Sequence, residues 1–251
     1  MGSINRIDFL DCPLDPLLRS EVLDIVEKSI AAKESAKTIQ FVNANKIAKI
    51  QDDLALKSLM WSADLVLTDG KPMIPMARLL GYNVPERIDG IGLMLSILDL
   101  ANTNKYRVFL LGAKQPIVET CVELIKTRYP DVTIAGYRNG YFSKENWSDI
   151  AKLISQSDSD IVFLGMGSPT KEELGQYLKQ KNTGRIIQGV GGSFDVMAGL
   201  VKRAPIWMQD IGLEWLYRII QEPRRMFWRY LKTNSICLGI FFKALFMRLF
   251  F

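Results

Sequence analysis

The chemistry open to this chain is narrowed first by a residue type that it lacks. Histidine is absent from all 251 positions. A Ser-His-Asp triad, a His-ligated zinc site and a histidine general base are therefore excluded, and carboxylates, amides, lysine and arginine remain. Among the carboxylates, Asp69 is notable for its position. It follows the apolar run Leu65-Val66-Leu67 and precedes Gly70, which puts a carboxyl group at the C-terminal end of a strand beside an apolar wall. Partial burial raises a carboxyl pKa toward the range useful for a general base. The competing reading is a cap for a helix starting near Pro72. Asn43 and Asn45, on the preceding strand-to-helix loop, offer neutral donors and acceptors suited to sugar hydroxyls, or else an Asx turn.

Glycine-rich loops follow other strands at Gly112-Ala113, Gly165-Met166-Gly167-Ser168-Pro169 and Gly189-Val190-Gly191-Gly192. None has the three-glycine spacing of a dinucleotide site, and no P-loop signature occurs. Small residues at helix N-termini can still let backbone N–H groups approach phosphates, although tight βα turns account for the same glycines. Asp158-Ser159-Asp160 has a D-x-D spacing used by many metal-dependent sugar-nucleotide transferases. It lies at the start of a strand, away from the converging loops, and reads as a helix stop and turn. No metal is expected.

The elements that must position these residues alternate in the manner of βα units. Strands are expected at Thr38–Val42, Asp64–Thr68, Tyr106–Leu111, Asp131–Ala135, Asp160–Leu164 and Arg185–Val190, and helices at Lys46–Met60, Pro72–Leu80, Gly90–Ala101, Gln115–Arg128, Lys144–Gln156 and Lys171–Gln180. The pattern predicts an α/β, Rossmann-like fold, a mostly parallel sheet with helices on both faces. In such sheets ligands bind outside the carboxyl ends of the strands, so the polar loops converge on one rim. No internal repeat is visible. The chain divides into a body over 1–211 and a C-terminal helical, membrane-associating appendage over 212–251.

Charge supports that division. The net charge is +5, but residues 218–251 alone carry a balance of +6 and the rest is close to neutral. No nucleic-acid partner is expected. Cys12, Cys121 and Cys237 are odd in number and far apart, which indicates neither a disulfide framework nor a zinc ribbon and suits a reducing cytoplasm. The N-terminus has no apolar signal stretch, and Arg6 spoils a myristoylation pattern. The run 236–251 is apolar but interrupted by Lys243 and Arg248. As a helix of about 24 Å it is short for a hydrocarbon core of about 30 Å, so it is expected to lie on the membrane surface. In one continuous helix from 224 onward, Arg225, Arg229, Lys232 and Lys243 fall within about 60° of one another, beside Phe227, Trp228 and Tyr230. Phe227, Trp228, Arg229, Lys232, Phe241, Phe242 and Lys243 are the expected contacts with an anionic membrane surface. Pro223 should separate this helix from the one before it.

The segments 63–70 (ADLVLTDG), 85–90 (PERIDG), 189–195 (GVGGSFD), Arg203-Ala204-Pro205, 212–218 (GLEWLYR) and 221–225 (QEPRR) together resemble the WecG/TagA/CpsF glycosyltransferase family, in order and spacing, from about Asp8 to Tyr230. The resemblance implies a metal-independent, inverting hexosyltransferase of bacterial cell-surface polysaccharide synthesis. It would move a sugar from a UDP-sugar to a polyprenyl-diphosphate-linked saccharide at the cytoplasmic face of the plasma membrane, as a peripheral protein without a cofactor. Self-association is left open. Under the resemblance Asp69 is the base, and Asn43, Asn45, Arg87, Lys171, Asp195, Gly191 and Gly192 contact substrate. With no metal, Arg218, Arg224 and Arg225 would neutralise the departing diphosphate. Two positions depart from the family pattern: Asn43 stands where threonine is usual, and Lys171 where glutamine is common. Both can hydrogen-bond, and Lys171 adds a charge. The competing functions are a metal-dependent nucleotidyl- or phosphotransferase on a lipid phosphate, and a non-catalytic partner that binds UDP-sugars.

Overall fold

The computed structural model describes residues 5–250; the side chains of Asp210 and Arg225 lie outside the description. The chain opens with a hairpin, β1 (Ile7–Phe9) and β2 (Cys12–Leu14), followed by α1 (Arg19–Ala31). Next come β3 (Lys37–Val42), α2 (Ala44–Ile50), α3 (Leu54–Ser62), β4 (Leu65–Thr68), α4 (Met73–Leu79), α5 (Gly90–Asn104), β5 (Arg107–Gly112), α6 (Gln115–Arg128) and β6 (Thr133–Arg138). A 3₁₀ turn at Lys144–Asn146 leads to α7 (Trp147–Gln156), β7 (Ile161–Gly165), α8 (Thr170–Gln180) and β8 (Ile186–Gly189). Four further helices are α9 (Ser193–Met197), α10 (Ile206–Asp210), α11 (Glu214–Gln221) and α12 (Pro223–Phe250).

β3 to β8 form one six-stranded sheet in the order β4-β3-β8-β7-β5-β6, and every pairing is parallel. β5 and β7 are nearly continuous apolar runs because both faces are covered, while β3 and β8 bury Gln40 and Gln188 among their apolar residues. Ile39, Phe41, Leu110 and Phe163 face α1, α5 and α6. Val42 and Val66 face α2, α3 and α4, while Leu111 and Leu164 face α7 and α8. The α/β class is as expected, and the sheet is wholly rather than mostly parallel. The β5 and β7 ends approach closely at the rim: a Cβ on Gly112, where φ is +145°, would lie 2.4 Å from the Gly165 carbonyl oxygen, and one on Gly165 would meet Phe194. These two glycines are thus required by packing, whatever else the loops do.

Three elements differ from the sequence reading. The helix expected over Lys46–Met60 is two helices, because Asp53 accepts a hydrogen bond from the Leu56 amide at 2.8 Å and starts α3 afresh. The 144–156 segment begins as a 3₁₀ turn. The hairpin and α1 were not anticipated. The hairpin's exit is tied to β4 by Asp15, which donates its amide to the Val66 carbonyl at 2.8 Å and accepts the Val66 amide on its carboxylate at 2.7 Å. Arg6 holds that carboxylate from the other side and also donates to the carbonyls of Ala63 and Asp64.

Pro223 does separate α11 from α12, and α12 is longer than the apolar run alone suggested. Its 28 residues span about 42 Å at 1.5 Å per residue, and Met226–Phe250 is long and apolar enough to cross a bilayer. One stripe buries Met226, Thr233, Cys237 and Phe241; the helix packs along α2, and Cys237 and Phe241 join the second core, the one that Val42 and Val66 share with α2, α3 and α4. Phe241 is therefore no membrane contact: only 5% exposed, it fills the core with Leu80 and Ile50. A second stripe leaves Phe227, Trp228, Leu231, Leu238, Phe242 and Phe246 exposed. A third carries the exposed Arg229, Lys232 and Lys243.

Candidate active site

The end of β4 is fixed from both sides. The Asp69 amide donates to the Val42 carbonyl at 2.8 Å, and the Ile88 amide donates to the Thr68 carbonyl at 2.9 Å, so the segment before α5 is drawn against the strand. Arg87 is thereby brought 3.7 Å from the Asp69 carboxylate. Asn43 donates from Nδ2 to Asp69 Oδ2 at 3.3 Å while its Oδ1 accepts the Lys46 amide at 3.0 Å. It thus caps α2 and orients the carboxylate at once. Asp69 caps nothing, since α4 starts after Pro72 without a side-chain cap. Its side chain is 31% exposed. Burial pushes its pKa up, and Asp89 and Glu214 add to the rise against the opposing pull of Arg87 and Asn43.

Around Asp69 runs a chain of ion pairs. Arg87 pairs with Glu214 at the start of α11. Arg203 reaches Asp89 at 2.8 Å and Glu214 at 3.8 Å, and Arg19 lies 3.7 Å from Glu86. Glu86, Arg87, Asp89 and Arg203, with Lys71, Ile74 and Gln209, border an open cleft of about 370 Å³. Asp89 also caps α5 by accepting the Gly92 amide. The arrangement combines one half-buried carboxylate of raised pKa with guanidinium groups, which suits proton removal from a hydroxyl next to an anion-binding surface.

The structure brings together Asp69, Asn43 and Arg87 of the expected site. Asn45 sits in the first turn of α2, partly exposed, with no hydrogen-bond partner among the described residues. Gly191 takes φ +56° at the rim, and Asp195 in α9 folds back so that its carboxylate would lie 3.7 Å from a Cβ on Gly192. Arg218 lies one turn beyond Glu214 on the partly exposed α11, and Arg224 is exposed at the start of α12; neither pairs with a carboxylate among the described residues. Arg225 falls on α12, its side chain outside the described residues. Asp160 accepts the Arg107 amide at 2.9 Å at the opposite end of the sheet, in keeping with a turn role. Among the described residues no cluster of three metal-binding side chains occurs.

Lys171 belongs to a buried cluster that the sequence reading did not assemble. Its Nζ is 2.6 Å from Glu172 Oε1, which also takes Lys46 Nζ at 2.5 Å. Gln40 and Ser168 complete the group. Burial, with Lys171 nearby, pushes the Lys46 pKa down to about 8. Burial alone would raise Glu172, but the two lysines hold it below the usual carboxylate range. Asp89 and Glu214 were also given no place in the site by the sequence reading, although both lie in segments that carry the family resemblance.

The profile of the Glycosyl transferase WecG/TagA/CpsF family matches residues 7–249. An N-acetylglucosaminyldiphosphoundecaprenol N-acetyl-beta-D-mannosaminyltransferase of Bacillus subtilis (strain 168) is 34% identical over 214 residues, covering 85% of this chain and 81% of its own. The transferases of the same name from Bacillus spizizenii and Staphylococcus aureus (strain MW2) are each 31% identical, covering 90% and 88% of this chain and 84% and 87% of theirs. With a family match over nearly its whole length and relatives above 30% identity over most of theirs, the chain belongs to the WecG/TagA/CpsF glycosyltransferase family.

Proposed function

We propose that this protein is a metal-independent, inverting glycosyltransferase that moves a sugar from a UDP-sugar to a polyprenyl-diphosphate-linked saccharide, with Asp69 as general base. The observation that carries the reading is the half-buried Asp69 carboxylate at the end of β4, raised in pKa by burial, oriented by Asn43 and adjoining Arg87 on an open cleft. Ionised Asp69 accepts the proton of the acceptor hydroxyl as its oxygen attacks the anomeric carbon. The bond to UDP breaks on the opposite face, which inverts the centre. The departing diphosphate meets Arg87 and Arg203, joined by Arg218, Arg224 and Arg225 from the appendage. Asn45, Lys171, Asp195 and the Gly191-Gly192 turn border the donor.

The names of the relatives suggest N-acetylmannosamine as the sugar and N-acetylglucosaminyl-diphosphoundecaprenol as the acceptor to test first. The exposed aromatic and basic stripes of α12 support a peripheral position on the cytoplasmic face of the plasma membrane, with the body over 1–211 and the appendage over 212–251. The deciding experiment incubates the protein with UDP-N-acetylmannosamine and a polyprenyl-diphosphate-N-acetylglucosamine acceptor, with and without chelator. One sugar gained, UDP released and a β linkage, unaffected by chelator, are the expected result. Loss of activity with chelator would favour a metal-dependent transferase, and sugar-nucleotide binding without UDP release would favour a binding partner.

A further inference from the structure

We propose that Arg87 and Arg203 form an anion seat, occupied in the free protein by the carboxylate of Glu214 and taken over by the diphosphate of an incoming substrate, so that substrate entry releases α11 from the cleft. The proposal rests on the proposed function only for the identity of that anion.

Glu214 pairs with Arg87 and lies 3.8 Å from Arg203 Nε. The Nε–H groups of both arginines are buried without a hydrogen-bond partner among the described residues. One carboxylate offers two oxygens to two guanidinium groups with five donors each, and leaves donors unfilled. A diphosphate carries more oxygens and more charge, and can engage both groups at once. Charge points the same way: Lys71, Arg87 and Arg203 line the cleft with Glu86 and Asp89, and withdrawal of Glu214 removes a carboxylate that competes with an incoming anion for Arg87 and Arg203.

Glu214 is the acid free to do so. Asp89 caps α5 and holds Arg203, Glu86 accepts the Arg19 amide at 2.9 Å, and Asp69 is fixed at the end of β4. Glu214 instead begins a helix of eight residues, none of them buried, that packs mainly on α12, with Trp215 against Tyr230.

Calorimetric titration of the full chain with inorganic diphosphate and with UDP, for the natural sequence and Glu214→Gln, tests the seat. The neutral amide keeps the shape but removes the competing charge, and the variant should bind inorganic diphosphate about tenfold more tightly. A brace that merely positions Arg87 would give the opposite sign, so unchanged or weaker binding overturns the proposal. Hydrogen exchange supplies an independent readout: α11 amides should exchange faster under saturating diphosphate, and slower exchange would overturn the release of the helix. If Glu214→Gln does not fold, Glu214→Asp, which retracts the charge by one methylene, is judged by the same sign. Failure of UDP to bind either protein while inorganic diphosphate binds both would count against the proposed donor and leave the seat to be decided by the diphosphate result.

Discussion

Asp69 ionises against burial and against Asp89 and Glu214, with Arg87 and Asn43 favouring its charge. Its pKa is raised in the folded state, so the folded protein holds this proton more tightly than the unfolded chain. Its contribution to stability is present below the unfolded value near 3.8 and is lost as pH rises through the folded value. At neutral pH the ionised group therefore opposes folding. Asp69→Asn should lower turnover by about 10² to 10⁴ and yet melt at a higher temperature than the natural protein at pH 7. A lower melting point would mean that the carboxylate holds the fold together. The acid limb of the kcat/KM profile should lie above the ordinary aspartate value, and a limb at or below it would remove Asp69 as the titrating base. At this scale the sequence was informative where local order sufficed: an apolar strand ending in Asp-Gly is visible by eye. Glu214 was not legible as a neighbour of Arg87, because 127 residues separate them and only the return of the chain over the cleft makes them adjacent.

Two elements carry features that their sequences disguised. In α2, Lys46 looks like a solvated helix residue, but its side chain is 4% exposed and depends on Glu172 of α8, itself 1% exposed. Glu172→Ala leaves two buried ammonium groups without a carboxylate. It should destabilise the protein by about 3–5 kcal/mol in urea unfolding, and a loss below about 1 kcal/mol would show that the lysines escape to solvent. In α12 the aromatic residues looked alike along the sequence, and only the helix's contact with α2 separates the buried Phe241 from the exposed Phe242 beside it. The basic stripe is testable without disturbing that contact. Exchanging Lys232 and Lys243 for glutamine should reduce binding to anionic vesicles by roughly tenfold or more, at about 1 kcal/mol per base near the surface, and leave the melting temperature unchanged. Vesicle binding equal to the natural protein's would assign the attachment to the aromatic stripe alone.

Taken whole, the alternation of apolar runs with amphipathic stretches was enough to read the parallel sheet, because buried strands need continuous apolar sequence. Strand order was not legible, nor was the place of α12, since both depend on contacts between distant segments. That place changes what truncation should do. A chain ending at Gly212 loses Glu214 and the appendage arginines, and it also uncovers the part of the second core that Cys237 and Phe241 fill. It should be nearly inactive on a water-soluble acceptor analogue, fail to bind vesicles and melt at a lower temperature. A chain ending at Asn234 keeps α11 and Met226. It should retain turnover on the soluble analogue while losing much of its vesicle affinity and, with the burial of Phe241, about 2 kcal/mol of stability. Full activity of the shorter chain on the analogue would reduce the appendage to an anchor.

The tie between Asp15 and Val66 has a consequence for how the protein can be handled. β4 is the outermost strand on its side of the sheet, and an outer strand with free amide and carbonyl groups is a template on which a second chain can add and aggregate. Asp15 satisfies both backbone groups of Val66, and Arg6 covers the carbonyls of Ala63 and Asp64. A few residues ahead of α1 thus do the work of a missing neighbouring strand. Proteolytic loss of the first residues through Arg6, or a charge change at Asp15, would reopen the strand that leads into Asp69, and the expected symptom is concentration-dependent precipitation that precedes any loss of the catalytic groups themselves.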